Sequence, residues 1–115
     1  MGERETKMSI NNKHPEDKNT KSIEDTLRLY DNERKRIKID IYRYNCASIR
    51  VRIVDPSFKK LSNTQRENLV WGYLNNLEKD ARNEITMLLL ITPEEKIDPF
   101  SFMNREFDEP SPSRL

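Results

Sequence analysis

Residues 48–95, SIRVRIVDPSFKKLSNTQRENLVWGYLNNLEKDARNEITMLLLITPEE, hold about half of the chain's apolar side chains and change period twice. Ile49, Val51 and Ile53 alternate with Arg50 and Arg52, the period of two that a half-buried strand needs. Pro56 stops that strand because it has no N–H for a ladder, and Phe58 is expected to drop into the core as an anchor. Ser62 and Gln65 stand at capping-box spacing. Leu69, Val70, Tyr73, Leu74 and Leu77 then recur at helical period, the mark of an amphipathic helix. Residues 78–84 are polar and extend the helical region by about one turn. Residues 85–91, ITMLLLI, read as a strand apolar on both faces, the kind that is usually covered on both sides. Thr92-Pro93-Glu94-Glu95 starts another helix: a capping hydroxyl, a proline at the first position, then acids in the first turn.

Upstream, Ile37, Ile39 and Ile41 alternate with Lys38, Asp40, Tyr42 and Tyr44. With a short polar turn around Asn45-Cys46-Ala47, this run and residues 48–54 predict an antiparallel hairpin. Asp40 is expected to pair with Arg52 on its outer face and help set the register. Ile23, Leu27 and Tyr30 form one stripe of a short helix opening at Ser22 and ending near Asp31-Asn32. Residues 33–36, ERKR, read as a charged, solvated connector. Residues 1–21 have almost no apolar content and no periodicity, so they are expected to be a disordered tail. His14, the chain's only histidine, is expected to be solvated there.

At 115 residues the chain is one domain, and 36% charged against 34% apolar implies a small core with polar ends. The expected layout is a tail over residues 1–21, a domain over 22–99 and a C-terminal extension over 100–115. A formal charge of +1 leaves no global field to draw the molecule onto nucleic acid or membrane, so such binding would need a local patch. A single cysteine, Cys46, excludes an internal disulfide and fits a reducing, cytoplasmic setting. No apolar run approaches the roughly 20 residues that span a bilayer.

The C-terminal stretch mixes Phe100, Phe102, Met103 and Phe107 with prolines. That much aromatic area is expected to pack on the domain itself or on a partner, with disorder beginning after Pro110.

The order helix, hairpin, helix, strand, terminal helix resembles the BolA-like family. So do Phe58, Ser62, Gln65, Arg66, Leu69 and Val70 at the spacing F-x-x-x-S-x-x-Q-R-x-x-L-V, and the closing Thr92-Pro93-Glu94-Glu95. The likeness covers residues 48–95. It implies an α+β fold, α-β-β-α-α-β-α, with a mixed three-stranded sheet backed by helices and similar to the type II KH domain. It also implies the family's roles: pairing with monothiol glutaredoxins around a [2Fe–2S] cluster, or binding DNA. The family's histidine after the Gln-Arg pair is Glu67 here, and Ser48 holds the other histidine position, so Cys46 is the one ligand candidate left. A carboxylate is a poorer match than imidazole for cluster iron. The family's glycine after Phe58 is replaced by Lys60.

No catalytic constellation can form around a lone tail histidine, and no Gly-rich phosphate loop or GxxG is present. The expectation is therefore a non-enzymatic interaction module with no bound cofactor, binding a protein partner or a second copy of itself through the hairpin face and C-terminal segment. Lys38, Tyr42, Tyr44, Arg50 and Arg52 form that face, with Leu88 or Leu90 alongside and Phe100, Phe102 and Phe107 as apolar contacts or as its own cover. The alternative is nucleic-acid binding by the same arginines and tyrosines with Lys59, Lys60 and Arg66. A weaker alternative is iron–sulfur trafficking with a glutaredoxin through Cys46.

Overall fold

The computed structural model describes residues 9–113. Its centre is an antiparallel hairpin of β2, Lys38–Asn45, and β3, Ser48–Val54, with Asp40 opposite Arg52 and their side chains 3.1 Å apart. A parallel strand is added on each side, giving the order β1-β2-β3-β4, with β1 at Ile10–Asn12 and β4 at Ile85–Ile91. Parallel neighbours need long crossovers. Helix α1, Lys18–Asn32, makes the first; α2, Asn63–Leu74, and α3, Lys79–Glu84, make the second. All three lie on one face, where α1 packs against both α2 and α3. Ile39, Ile41, Ile49, Val51 and Ile53 meet Ile23, Leu27, Tyr30, Val70, Leu74 and Leu77 there.

Between β3 and α2, the single turn Pro56–Lys60 drops Phe58 fully into this core. Asp55 starts that turn by accepting from Ser57 N and also accepts from the Tyr30 hydroxyl. Burial, then this carboxylate, pushes the Tyr30 hydroxyl up. Ser62 and Gln65 form the reciprocal capping box on α2.

Four strands replace the expected three, and the boundary at residue 21 falls inside α1. Helix α1 is capped not by Ser22 but by Asp17, whose carboxylate accepts from Asn19 N at 2.9 Å and Thr20 N at 3.0 Å. Three residues of β1 are too short to carry a period; Ile10 packs against the core, and side-chain polar bonds fasten the segment to α1. Asn12 donates to Glu24, and Ser9 donates to Asp31. His14 is not a solvated tail residue: its Nδ1 accepts from Arg43 N at 3.0 Å. Residues 1–8 of the expected disordered tail lie outside the described residues.

Asp17 also pairs with Arg43, which bridges to Glu84 at 2.7 Å, so one guanidinium ties the start of α1 to β2 and to the end of α3. The Arg43 hydrogen bond holds the Asp17 carboxyl at about 2, below the ordinary 3.8. A depressed folded-state value stabilises the fold above the ordinary pKa and is lost as pH falls through 4 toward 2. Asp17→Asn, which keeps a good cap but loses the charged pairing with Arg43, is therefore expected to flatten the acid limb of the stability–pH curve between pH 4 and 2, and to lower stability at neutral pH by about 1 kcal/mol. Urea melts across that pH range check both.

Candidate interaction surface

The second face of the sheet carries Arg50 and Arg52 on a central strand, where bare guanidinium groups would ordinarily face water. They are nevertheless buried, Arg52 to 5% exposure, because α5, Phe102–Asp108, lies across them. Arg50 Nη1 donates to the Glu106 carbonyl and carboxylate, both at 3.1 Å, and the guanidinium sits 3.7 Å over the Tyr44 ring. Arg52 reaches Asp108 at 3.0 Å and Asp40 at 3.1 Å and lies 4.4 Å over the Phe107 ring. Phe107 meets Tyr42 edge-on, ring centroids 4.9 Å apart, and the Tyr42 hydroxyl donates to the Phe107 carbonyl at 2.7 Å. Past Pro110 the chain stays attached where disorder was expected. Tyr44 donates to the Ser111 carbonyl, and Asn45 donates to Ser113 Oγ. Ser111 N–H and Oγ hold the Glu106 carboxyl below its ordinary range, helped by Arg50.

Thus Tyr42, Arg50 and Arg52 are the seat of the chain's own C-terminal segment, while Lys38 remains exposed at the start of β2. Arg66 is likewise no open cation. It is buried, donates to the carbonyls of Leu61 and Leu90, and pairs with both oxygens of Glu95, which holds that carboxyl low. Lys59 and Lys60 stay exposed, and with Lys35, Arg36 and Lys38 they make a basic end of the sheet. Arg34 links the two loops there through Ser57. Arg36 has φ 63, a left-handed conformation uncommon for such a side chain.

Leu88 and Leu90 do not lie beside the arginines. The register runs Ile49 with Ile85, then Arg50 with Met87, so Thr86 is an extra residue on β4. A bulge of one residue sends every later side chain to the other face. Leu88 and Leu90 consequently pack on the helical core, and Met87, Leu89 and Ile91 take the arginine side. Thr86 Oγ1 hydrogen-bonds Ser48 Oγ, so Ser48 is engaged in the sheet.

Of the phenylalanines proposed as contacts, only Phe107 is covered. Phe100 is 87% and Phe102 65% exposed, with Ile97 and Met103 also exposed in the same short stretch. This stretch follows α4, Pro93–Lys96, whose end is fastened by Asn104 donating to the Glu95 and Lys96 carbonyls. It borders a groove of about 410 Å³ whose floor is residues 88–91 of β4. Asn63, Arg66 and Glu67 of α2 line it on one side, and Asp98, Ser101 and Met103 on the other. Met87, Leu89, Ile97 and Asn63 were not predicted as surface residues. The available signal for the first two was ITMLLLI itself, a strand too apolar to stand bare at an edge.

Cys46 is exposed in the β2–β3 turn, at the end of the sheet where Ile49 pairs with Ile85, whereas Glu67 lines the groove along the other half of β4. Among the described residues no three His, Cys, Asp or Glu side chains are grouped to hold a metal ion. No helix among them is long and apolar enough to cross a membrane. No family model, no curated protein and no solved structure matches the chain.

Phe107 is the one apolar side chain of α5 that is buried, and the arginine pairs beside it depend on α5 staying in place. Phe107→Ala is expected to cost about 3 kcal/mol. It is also expected to raise binding of a hydrophobic dye as the Tyr42–Arg52 face is uncovered. Chemical denaturation with dye fluorescence measures the two together.

Proposed function

We propose that this chain is a non-catalytic interaction module, BolA-like in the order of its central elements, that binds protein along the free side of β4 and the apolar stretch 97–103. The observation that carries this reading is the exposure of Phe100 and Phe102 in the stretch whose Asp98, Ser101 and Met103 line a groove, its floor a strand with no neighbouring strand on its outer side among the described residues. Monomeric domains seldom leave aromatic side chains and an apolar edge strand bare together, because both invite association. The hairpin face contributes indirectly: by seating Phe107, Glu106 and Asp108 it fixes the C-terminal segment so that its other residues point outward. The run from α1 to α4 supports the family resemblance, while β1 and α5 are additions to that plan. Cys46 and the Glu67 position stand toward opposite ends of β4, which gives the glutaredoxin partnership no geometric support.

A second reading is favoured by the basic end. Lys35, Arg36, Lys38, Lys59 and Lys60 are all exposed, and the nearby Asp55 is occupied by Tyr30 and Ser57. Such a patch suits a nucleic-acid phosphate backbone, with binding that falls steeply as salt rises.

The two readings separate on one experiment. A photo-cross-linking side chain placed at Phe100 or at Lys59 is irradiated in the source cell. The first reading expects discrete protein adducts from position 100, undiminished by added salt in the extract, and little from position 59. Nucleic-acid adducts from position 59, with none from position 100, would replace it by the second.

A further inference from the structure

We propose that the free side of β4 is filled by β4 of a second copy, paired antiparallel about a two-fold axis at Leu88. This rests on the reading of that side as a docking surface and names its occupant. In a parallel pair, alternate residues direct both backbone groups to the same neighbour. Asp55 N donates to the Ile91 carbonyl at 2.9 Å, and Val54 stands opposite Ile91, so Ile91, Leu89 and Met87 are the residues that bond β3. Leu88 and Leu90 therefore direct theirs away from it. The Leu90 carbonyl shows this directly, since it accepts from Arg66 Nη1 on the outer side at 3.0 Å.

That leaves Leu88 as the central residue of Ile85–Ile91 with both N–H and C=O turned outward. Antiparallel strands join through pairs of residues that exchange both bonds, and a residue can make such a pair with its own copy. Leu88 meeting Leu88 of the second copy satisfies both groups at the axis, and Leu90 N–H then faces Thr86 of the other strand. The floor has no charge from Ile85 to Ile91, so nothing in it repels its duplicate. Beyond the strand ends, the antiparallel sense keeps Glu94 and Asp98 away from their own copies and brings them toward the mixed charges of α3, Lys79, Asp80 and Arg82. A parallel arrangement would set acid against acid.

The pairing also closes. The opposite sheet edge is β1, three residues long, with Asn11 exposed and Asn12 committed to Glu24. It offers no comparable edge for head-to-tail growth, so two copies make one continuous eight-stranded sheet and stop. Phe100 and Phe102 add area that a stable interface needs, since aromatic side chains bury ~150–250 Å² each when covered, against ~800 Å² per partner in a standard interface.

Velocity sedimentation of the full chain over a concentration series is expected to show a rise to twice the 13.8 kDa of one copy. Amide exchange at Leu88 and Leu90 is expected to slow by about tenfold or more through that rise, with Met87, Leu89 and Ile91 little changed because β3 already holds them. Leu88→Pro removes an N–H that β3 does not use and is expected to abolish the dimer, whereas Leu88→Ala, which loses the same side chain but keeps the N–H, retains it. Should Leu88→Pro fail to fold, exchange in the unaltered chain decides. A chain that stays monomeric throughout, or a dimer in which Leu88 still exchanges fast, overturns the self-pairing. A monomer that still gives protein adducts from position 100 leaves the module reading in place with a foreign strand in the groove. Absence of those adducts sinks that reading separately.

Discussion

Two arginines on a central strand impose the constraint around which this molecule is built. Arg50 and Arg52 lie in β3 between two neighbours, and once anything covers that face their charge must be answered inside it. An unanswered buried charge costs several kcal/mol. Here the answer comes mostly from one seven-residue helix. Its Glu106 and Asp108 meet the two guanidinium groups, and its Phe107 lies between them against Tyr42 and beneath Arg52. A helix this short has little stability of its own. It holds its place because the sheet supplies the cations and the ring that it needs, and because Asn104 fastens its first turn to the end of α4. The direction in which Phe100 and Phe102 are displayed follows from that attachment.

The opposite corner uses the same device with the same signs, a sheet arginine answered by helix-borne acids. Arg43 reaches Asp17 ahead of α1 and Glu84 at the end of α3, so a single cation joins the two parallel crossovers to the hairpin. Neither corner is apolar. The aliphatic core lies wholly between the sheet and α1, α2 and α3, and polar pairs decide how the chain's two ends are attached to it. This accounts for a composition in which charged residues slightly outnumber apolar ones while 9–113 still form one packed unit.

That division explains what could be read before the structure. The hairpin and α2 are encoded by apolar period, and Ile39, Ile41, Ile49, Val51, Ile53, Val70 and Leu74 lie where period alone places them. The strand β1 has three residues and no period to show. Its evidence is Asn12 reaching Glu24, and His14 and Asp17 reaching Arg43, contacts across 12, 29 and 26 residues that no local pattern contains. The Arg/Tyr face was legible as a surface with a purpose, but Tyr42 and Arg50 are spent on their own C-terminal segment. The displacement of Leu88 and Leu90 from that face has a local cause in Thr86, one extra residue against β3. A bulge is invisible to alternation in a run such as ITMLLLI, where both parities are apolar.

The same run explains why attention falls on one edge. Parallel addition on both flanks of a hairpin leaves two edges of unlike quality. On the β1 side the edge is short and its asparagine side chains are polar, features that discourage further pairing. On the β4 side it is seven residues long with no charged side chain, and Arg66 meets only the carbonyl of Leu90 near its C-terminal end. A strand that packs Leu88 and Leu90 on the helical core and keeps Met87 and Leu89 half-buried on its other face needs apolar residues of both parities, and this requirement is met by ITMLLLI whether or not its outer side is ever occupied. The requirement does not extend to Phe100 and Phe102. These rings project from a segment whose packing is already completed by Phe107 and Asn104, so burial within this chain does not account for them. Their chain neighbours Asp98, Ser101 and Met103 line the groove over that edge, and it is in this stretch that a selective reason for large apolar side chains in water must be sought.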